Sequence, residues 1–289
     1  MTCDVLLDVG GTGIKGSALA RGEIRLPYAE FPSRAGEPCE ALAGHLTAII
    51  RELAGGMPVR RIAMAFPGPF DYDRGIPMMR GLDKYESLYG VCLPQLLAPR
   101  LGEAGITPQI WYFINDASAF ALGACAALGL KGRVMNVCLG TGAGSGFIVD
   151  GRLTQEPDDG VPAGGWIYPI PYDGATVDDH FSDRGVRALS QRMCGRRFSP
   201  LELNLQADAG SQIAREIWQV FGARMANIFR ILLLDFRADA LVLSGKIARA
   251  EKWFAAPLRA MCGELGVRLV IEPDTTRYIL QGLGSDAKA

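Results

Sequence analysis

Two glycine-rich turns in this chain have the composition of phosphate-binding loops. The first reads GGTG at residues 10–13 and the second reads LGTG at residues 139–142, and each follows an apolar, β-rich segment. A turn without Cβ atoms leaves successive backbone N–H groups free to converge on an anion. Because similar units occupy residues 5–24 and 134–153, the repeat indicates two related halves that bind one polyphosphate from opposite sides.

A carboxylate that could serve as a general base stands at Asp116, directly after Asn115, where an apolar strand is predicted to pass into a helix. Phosphoryl transfer requires positioning, charge neutralisation and a carboxylate that accepts the proton of the attacking hydroxyl. Asn115 could orient that hydroxyl. From the residues alone, however, the simpler interpretation is favoured, in which Asp116 only caps the helix.

Other phosphate-binding and catalytic motifs do not fit. The segment GTGIKG at 11–16 matches GxGxxG, but a dinucleotide site needs a helix that opens at the third glycine. Arg21-Gly22 instead predicts a hairpin turn immediately after a strand. The chain contains neither a GxxxxGK[ST] loop nor a GxSxG elbow, which excludes the commonest alternatives for phosphate binding and acyl transfer.

The predicted strands and helices follow a similar order in both halves. In the first half, hydrophobic periodicity and turn residues predict strands at 4–9, 14–20, 23–28, 61–66 and 110–114 and helices at 38–54, 91–104 and 116–128. In the second half they predict a hairpin from residue 134, helices at 183–194, 210–236 and 249–264, and strands at 239–244 and 267–271. Residues 154–176, rich in Pro, Gly and Asp, are predicted to form a long functional loop. We therefore expect two α/β domains, 1–117 and 118–289, that meet at a cleft.

The composition narrows the class of protein. The chain has 289 residues and a formal net charge of −1, without a block of Lys or Arg, so neither nucleic acid nor an anionic membrane is an expected partner. Its seven cysteines are scattered, and only two histidines occur, which is typical of a reducing cytosol and argues against structural zinc. The N-terminus lacks a basic segment, and the apolar run at 119–130 is too short to span a membrane. We expect a soluble cytoplasmic protein.

Five segments together resemble the ROK family of sugar kinases, which belongs to the larger sugar kinase, heat-shock ATPase and actin superfamily. They are DVGGTGIKG at 8–16, AFPGPFD at 65–71, INDASAFALG at 114–123, LGTGAGSG at 139–146 and LVLSGKIA at 241–248. Each is weak alone, but their order and combination are specific and extend over nearly the whole chain. The resemblance implies two ribonuclease-H/actin-like α/β domains, each with a mixed sheet, that flank an ATP cleft. It also implies ATP-dependent phosphoryl transfer to a sugar hydroxyl, with Mg²⁺ as cofactor, by a homodimer.

By this resemblance, the phosphate site takes residues from both hairpins. Asp8 would position magnesium through water, and Asp116 is then favoured as the catalytic base over its role as a cap. The remaining ATP-binding residues would be Gly10, Gly11, Thr12, Lys15, Gly140, Thr141, Gly142, Gly144 and Gly245, the last of them against the adenosine. The sugar would contact Gly68, Asp83, Asn115, Tyr168 and Asp178.

The chain departs from the family in the sugar pocket. The family's cysteine-rich zinc segment is missing from the sequence, with Thr176 where its last cysteine would fall, so no structural zinc is expected. The sugar-contacting Glu and His of a GExGH motif are replaced by Gly165 and Tyr168, Asp83 is the nearest counterpart of a family Asn, and Asp178 stands for a second Glu. Because lost hydrogen-bond partners weaken the binding of a specific sugar, the resemblance does not secure glucose as the substrate.

Two alternatives to an ATP-dependent kinase remain open from the sequence. One is a catalytically weak sugar sensor of the same fold, which the missing Glu and His support. Transcriptional members of the family carry a helix-turn-helix before the first phosphate strand, whereas this sequence begins at that strand, which favours the kinase. The other alternative is a different phosphoryl donor, such as polyphosphate, against which the LSGKIA segment argues.

Arg80 and Lys84 are interpreted as solvated charges.

Overall fold

The computed structural model describes residues 2–81 and 84–285, which fold into two compact units. The first unit spans Met1–Gly123 and Thr276–Ala289, and the second spans Ala124–Thr275. The strands are β1 (Cys3–Val9), β2 (Gly13–Ala20), β3 (Glu23–Ile24), β4 (Ala29–Pro32), β5 (Val59–Phe66), β6 (Phe70–Asp71), β7 (Ile76–Pro77), β8 (Ile110–Asn115), β9 (Arg133–Leu139), β10 (Ala143–Val149), β11 (Arg152–Thr154), β12 (Pro171–Tyr172), β13 (Ala175–Thr176), β14 (Ala240–Ser244) and β15 (Arg268–Glu272). The α-helices are α1 (Cys39–Ala54), α2 (Leu93–Glu103), α3 (Asp116–Ala127), α4 (Val177–Phe181), α5 (Asp183–Cys194), α6 (Pro200–Asp208), α7 (Gln212–Phe236), α8 (Glu251–Leu265) and α9 (Thr276–Gly284).

The main sheet of the first unit is mixed. Its strand order is β3-β2-β1-β5-β8, and β4 also pairs with β2. Strands β1 and β2 form an antiparallel hairpin, whereas β1, β5 and β8 run parallel. Strand β1 is buried along almost its whole length, as its apolar sequence predicts for a central strand covered on both faces. Helices α1 and α9 both pack against it.

The second unit repeats this arrangement. Its sheet order is β11-β10-β9-β14-β15, with β9 and β10 in an antiparallel hairpin and β14 parallel to both β9 and β15. The two sheets therefore have the same order: β1 and β9 take equivalent central positions, each with its hairpin partner on one side and two parallel strands on the other. The predicted α/β class, with one mixed sheet in each half, is confirmed.

Helix α7 forms much of the core of the second unit. Trp218, Phe221 and Phe229 lie on its buried side, in the same hydrophobic cluster as strands β9 and β14. Among the described residues, α7 is the one helix whose length and composition would allow it to cross a membrane, and 56% of its most apolar stretch is buried inside the protein. Its apolar character is thus explained by packing within the unit.

Several elements differ from those predicted. The predicted strand at 23–28 is divided, because β3 ends at Ile24 and the chain pairs again with β2 only from Ala29. Helices α4, α6 and α9 were not predicted, and the predicted loop at 154–176 contains the short hairpin β12–β13. The compact units divide after residue 123, and α9, which follows the second unit in sequence, belongs to the first unit.

Two glycines allow α9 to pack closely against α3. A Cβ atom on Gly123 would lie 1.8 Å from the carbonyl oxygen of Tyr278, and a Cβ on Gly282 would lie 1.9 Å from that of Ala119. Real Cβ atoms do not approach backbone oxygens so closely, so the contact depends on glycine at both positions. The sheet edge that carries Asp116 is thereby joined to the C-terminal helix.

Replacing Gly123 with alanine is expected to destabilise the protein by about 1–3 kcal/mol or more, because the added methyl group must separate two helix backbones. Gly44→Ala in α1 is the control, since a Cβ there meets no atom within 4 Å. That variant should be more stable than the wild type by up to about 1 kcal/mol through helix propensity. Urea unfolding measures both effects, and equal stabilities of the two variants would contradict the α3–α9 contact.

Candidate active site

Two carboxylates of the first unit lie at the same edge of its sheet. Asp8 is near the end of β1, and Asp116 begins α3 directly after β8. Strand β5 lies between β1 and β8, with Asp8 opposite Ala65 and Asn115 opposite Phe66. Because β1, β5 and β8 are parallel, their carboxyl ends meet at one edge, which is where ligands commonly bind in α/β proteins.

Burial raises the pKa of both carboxyl groups. Burial raises the pKa of Asp8 from 3.8 to about 7, with a further increase from the nearby charge of Asp116 and an opposing decrease from Lys15. Burial likewise raises the pKa of Asp116, against which a hydrogen bond from the Ala117 amide and the charge of Lys84 act. Such perturbed carboxyl groups are typical of catalytic and cation-binding sites.

The cap of α3 is formed by Asn115. Its Oδ1 accepts hydrogen bonds from the backbone N–H groups of Ala117 (3.0 Å) and Ser118 (3.3 Å), and its Nδ2 donates to the Tyr72 hydroxyl at 3.1 Å. Asp116 accepts a bond from the Ala117 N–H at 2.9 Å. The helix therefore has an N-cap that does not require Asp116, and the capping interpretation of Asp116 loses its basis.

The first glycine-rich hairpin joins β1 to β2 at the same edge. The Gly10 N–H donates to the Gly13 carbonyl at 3.0 Å, and a Cβ on Gly10 would lie only 2.9 Å from that oxygen. The carbonyls of Gly10 and Gly11 accept bonds from the Tyr85 hydroxyl and the Ser33 hydroxyl, both at 2.8 Å. The hydroxyls of Tyr85 and Ser33 thus fix the conformation of the turn through its carbonyl groups.

Lys15 lies on β2 directly opposite Asp8 in the strand pairing. Its ammonium donates a hydrogen bond to the Thr276 hydroxyl at 2.9 Å and lies 3.9 Å from a carboxylate oxygen of Glu30. Thr12, at the tip of the hairpin, is exposed. Lys15 is therefore held beside the hairpin, by a residue of α9 that lies far from it in sequence.

The second glycine-rich hairpin has a similar internal bond and an additional carboxylate. The Gly140 N–H donates to the Gly142 carbonyl at 2.9 Å, and Asp178 accepts from the Ala143 N–H at 2.6 Å. Asp178 also pairs with Arg184. The structure thus brings Asp178, a candidate sugar contact, to the glycine-rich turn of the second unit.

Gly245 lies beside the start of this second hairpin. It follows β14 with a φ of 91°, and a Cβ there would lie 2.3 Å from the carbonyl oxygen of Leu139. Both the left-handed backbone and the close approach require glycine. Thr141 is exposed. Gly144 lies on β10 and pairs with Cys138 of β9.

The remaining sugar-site candidates lie in different places. A Cβ on Gly68 would lie 3.4 Å from the Tyr72 hydroxyl, which is bonded to Asn115, so Gly68 and Asn115 belong to one cluster of the first unit. Tyr168 is 47% exposed in the second unit. Asp83 lies outside the described residues.

Four residues that contact the first site were not predicted, because no local sequence pattern marks them: Ser33, Tyr85, Thr276 and Lys84.

A magnesium ion fits the first site on the chemistry of its carboxylates. Oxygen ligands are those that Mg²⁺ prefers, and the ion is commonly held by one or two carboxylates together with substrate phosphates. Asp8 is such a carboxylate, and its raised pKa indicates that additional positive charge would stabilise its ionised form. Within residues 2–81 and 84–285, no group of three or more His, Cys, Asp or Glu side chains could hold a metal on its own.

Replacing Asp8 with asparagine is expected to flatten the dependence of stability on pH in the ligand-free protein. The folded state raises the pKa of Asp8 from 3.8 to about 7, so between these values the folded protein binds more protons than the unfolded chain. Wild-type stability therefore decreases as the pH rises through this window, and the decrease is complete above it. Because the asparagine does not titrate, the variant should exceed the wild type by about 1–3 kcal/mol above this window.

Urea unfolding at a series of pH values measures this difference. Asp158→Asn, which changes an exposed carboxylate of the second unit, is the control and should leave the slope unchanged. Equal slopes for Asp8→Asn and the wild type would show that Asp8 does not carry the linkage.

The comparisons with known proteins agree on the fold. A model of the ROK family matches residues 5–274. The structure of a ROK hexokinase from Thermus thermophilus is 18% identical, with a TM-score of 0.72 over 98% of this chain and 96% of that chain. No curated protein sequence matches the chain at a significant level.

Two further solved structures show how widely this fold is used. A ROK family glucokinase from Streptomyces griseus, in complex with glucose and AMPPNP, is 16% identical, with a TM-score of 0.72 over 98% of both chains. A ROK family transcriptional regulator, a homolog of the E. coli MLC protein, is 16% identical, with a TM-score of 0.74 over 98% of this chain and 78% of that chain. The predicted actin-like fold of sugar kinases is confirmed, while activity is not decided by this likeness.

Proposed function

The chain belongs to the ROK family, and on that premise we propose that it is an ATP-dependent kinase that phosphorylates a hydroxyl of a hexose or an amino sugar. The observation that carries the proposal is the position of Asp116. Its carboxylate lies at the sheet edge that also holds Asp8 and the first hairpin, while Asn115 caps α3. A poorly solvated carboxylate that the helix does not need is suited to act as a general base.

The reaction follows from the roles of these residues. Asp116 takes the proton of the acceptor hydroxyl while the hydroxyl oxygen bonds to the γ-phosphorus. The bond between that phosphorus and the bridging oxygen breaks, and its electron pair remains on ADP. The N–H groups of Gly11 and Thr12 bind phosphate oxygens, Gly10 closes the turn through its N–H bond to the Gly13 carbonyl, and Lys15 neutralises part of the phosphate charge. Magnesium supplies further charge neutralisation when bound, and Asp8 would hold it through water.

The second unit supplies the remaining contacts in this proposal. Gly140, Thr141, Gly142 and Gly144 bind the nucleotide phosphates, and Gly245 lies against the adenosine. The sugar contacts that the family resemblance implies are Gly68, Asp83, Asn115, Tyr168 and Asp178. Tyr168 provides an aromatic surface for a sugar ring in place of a hydrogen-bonding group, so we expect a preference that differs from that of a glucokinase.

Consumption of ATP across a panel of hexoses, amino sugars and polyols tests this function. The proposal expects turnover that depends on one group of sugars and is lost in the Asp116→Asn variant. The same panel with polyphosphate as donor tests the alternative donor. Absence of stimulated turnover with every sugar and both donors would contradict the kinase assignment.

A catalytically weak sugar sensor is the second candidate. The replacement of the family's Glu and His by Gly165 and Tyr168 supports it, as does the shared fold of a ROK regulator. Tight sugar binding without any stimulated turnover in the panel would favour the sensor.

We further propose that the protein is cytoplasmic and forms a homodimer. Ile231 and Leu234 are each 55% exposed on α7, and exposed apolar side chains of this size favour association. Sedimentation of the purified full chain measures the assembly, and a monomer at micromolar concentration would contradict the dimer.

A further inference from the structure

Lys84 lies directly over the first glycine-rich hairpin. A Cβ atom built on Gly11 would lie 2.6 Å from both Cδ and Cε of Lys84 and 3.1 Å from its ammonium nitrogen. The lysine stem therefore occupies the space that glycine leaves open at this position, and the side chain is half-buried. The sequence analysis interprets Lys84 as a solvated charge, but a side chain in this position is not one.

The same ammonium also acts on Asp116. It is near enough for its positive charge to oppose the increase that burial causes in the pKa of Asp116. Lys84 thus lies over the hairpin that would hold the donor phosphate, and its charge acts on the carboxylate that would receive the acceptor proton. In a phosphoryl transfer, the group that passes between these two places is the γ-phosphoryl itself.

The other cations nearby have different environments. The ammonium of Lys15 is bonded to Thr276 and lies near Glu30, so it is held at the side of the hairpin. Arg80, in the same segment as Lys84, is exposed and stacks on the ring of Tyr89 at 3.8 Å. Arg80 therefore provides a control cation of the same segment.

We propose, on the basis of the kinase function above, that Lys84 is a further catalytic residue whose ammonium contacts the γ-phosphoryl group during its transfer. The acceptor oxygen bonds to phosphorus, the bond to the ADP oxygen breaks, and the acceptor proton passes to Asp116. The ammonium of Lys84 donates hydrogen bonds to the equatorial phosphoryl oxygens, whose charge it neutralises as the transfer proceeds.

The test compares Lys84→Met, Lys84→Arg and Arg80→Met in the full chain with magnesium. Calorimetry gives the affinities for AMPPNP, which carries the third phosphate group, and for ADP, which lacks it. Lys84→Met is expected to weaken AMPPNP binding about tenfold and leave ADP binding unchanged, because one charge-assisted contact is lost. Turnover should fall roughly 10²–10³-fold, Lys84→Arg should recover part of the loss, and Arg80→Met should behave as the wild type.

The preference for AMPPNP over ADP is a readout that a merely structural role of Lys84 would not change, because a loss of folding weakens the binding of both nucleotides alike. An unchanged preference for AMPPNP over ADP in Lys84→Met, or a loss confined to the acceptor KM, would overturn the proposal.

These outcomes separate the inference from the kinase assignment. Normal turnover of Lys84→Met with an active wild type would refute the role of Lys84 and leave the kinase intact. If the wild type phosphorylates no sugar but Lys84→Met still loses the AMPPNP preference, the phosphate contact holds and the kinase assignment fails. If the wild type binds neither nucleotide, both are wrong.

Discussion

Replacing Asp116 with asparagine is expected to reduce turnover by roughly 10²–10⁴-fold, the usual contribution of a general base. Asparagine has nearly the same shape but cannot take the acceptor proton, so the affinities for sugar and nucleotide should persist. Stability should not decrease, because Asn115 already caps α3 and the change removes a charge from a poorly solvated place.

Steady-state kinetics and urea unfolding of the same preparation measure both properties. Asp73→Asn, at an exposed carboxylate of the first unit, is the control and should match the wild type in both. A variant that keeps near-normal turnover would remove Asp116 from the reaction. A variant that loses turnover together with several kcal/mol of stability would assign Asp116 a structural role instead.

Asp8→Asn is expected to have opposite effects on activity and on stability. Turnover should fall roughly 10²–10³-fold, because the variant lacks the carboxylate that would position the metal and the phosphate charge is then poorly neutralised. The ligand-free variant should nevertheless be more stable than the wild type above neutral pH, because burial raises the pKa of the Asp8 carboxyl to about 7. A functional charge that destabilises the empty protein is a common compromise at active sites.

Titration of activity with magnesium distinguishes this role from a loss of folding. The variant should need a higher magnesium concentration for half-maximal rate, and Lys15→Met, which removes a charge beside Asp8, should leave that concentration less affected. If Asp8→Asn shows the wild-type magnesium dependence and rate, Asp8 takes no part in catalysis.

The hairpins and the order of strands could be predicted from sequence because their determinants are local. Glycine-rich turns between apolar segments, the Arg21-Gly22 turn and the helical spacing in α1 each act within a few residues. Helix α6 could also have been found, because Ser199 and Glu202 form a capping box at its start. Such patterns specify elements but not which distant elements meet.

The rest depends on contacts between residues far apart in sequence. The packing of α9 on α3 relies on Gly123 and Gly282, and neither lies in a pattern that names its partner. The bonds from Lys15 to Thr276 and from Tyr85 to the hairpin have the same character. The capping of α3 could not be assigned between Asn115 and Asp116 from sequence, since both residue types cap helices.

A crystal structure with magnesium, AMPPNP and a sugar that stimulates turnover tests the central claim most directly. The account predicts that the γ-phosphate lies against the hairpin residues Gly10 to Thr12 and that one sugar hydroxyl lies about 2.6–3.2 Å from the Asp116 carboxylate. A γ-phosphate bound away from this hairpin, or a sugar with no hydroxyl near Asp116, would contradict it.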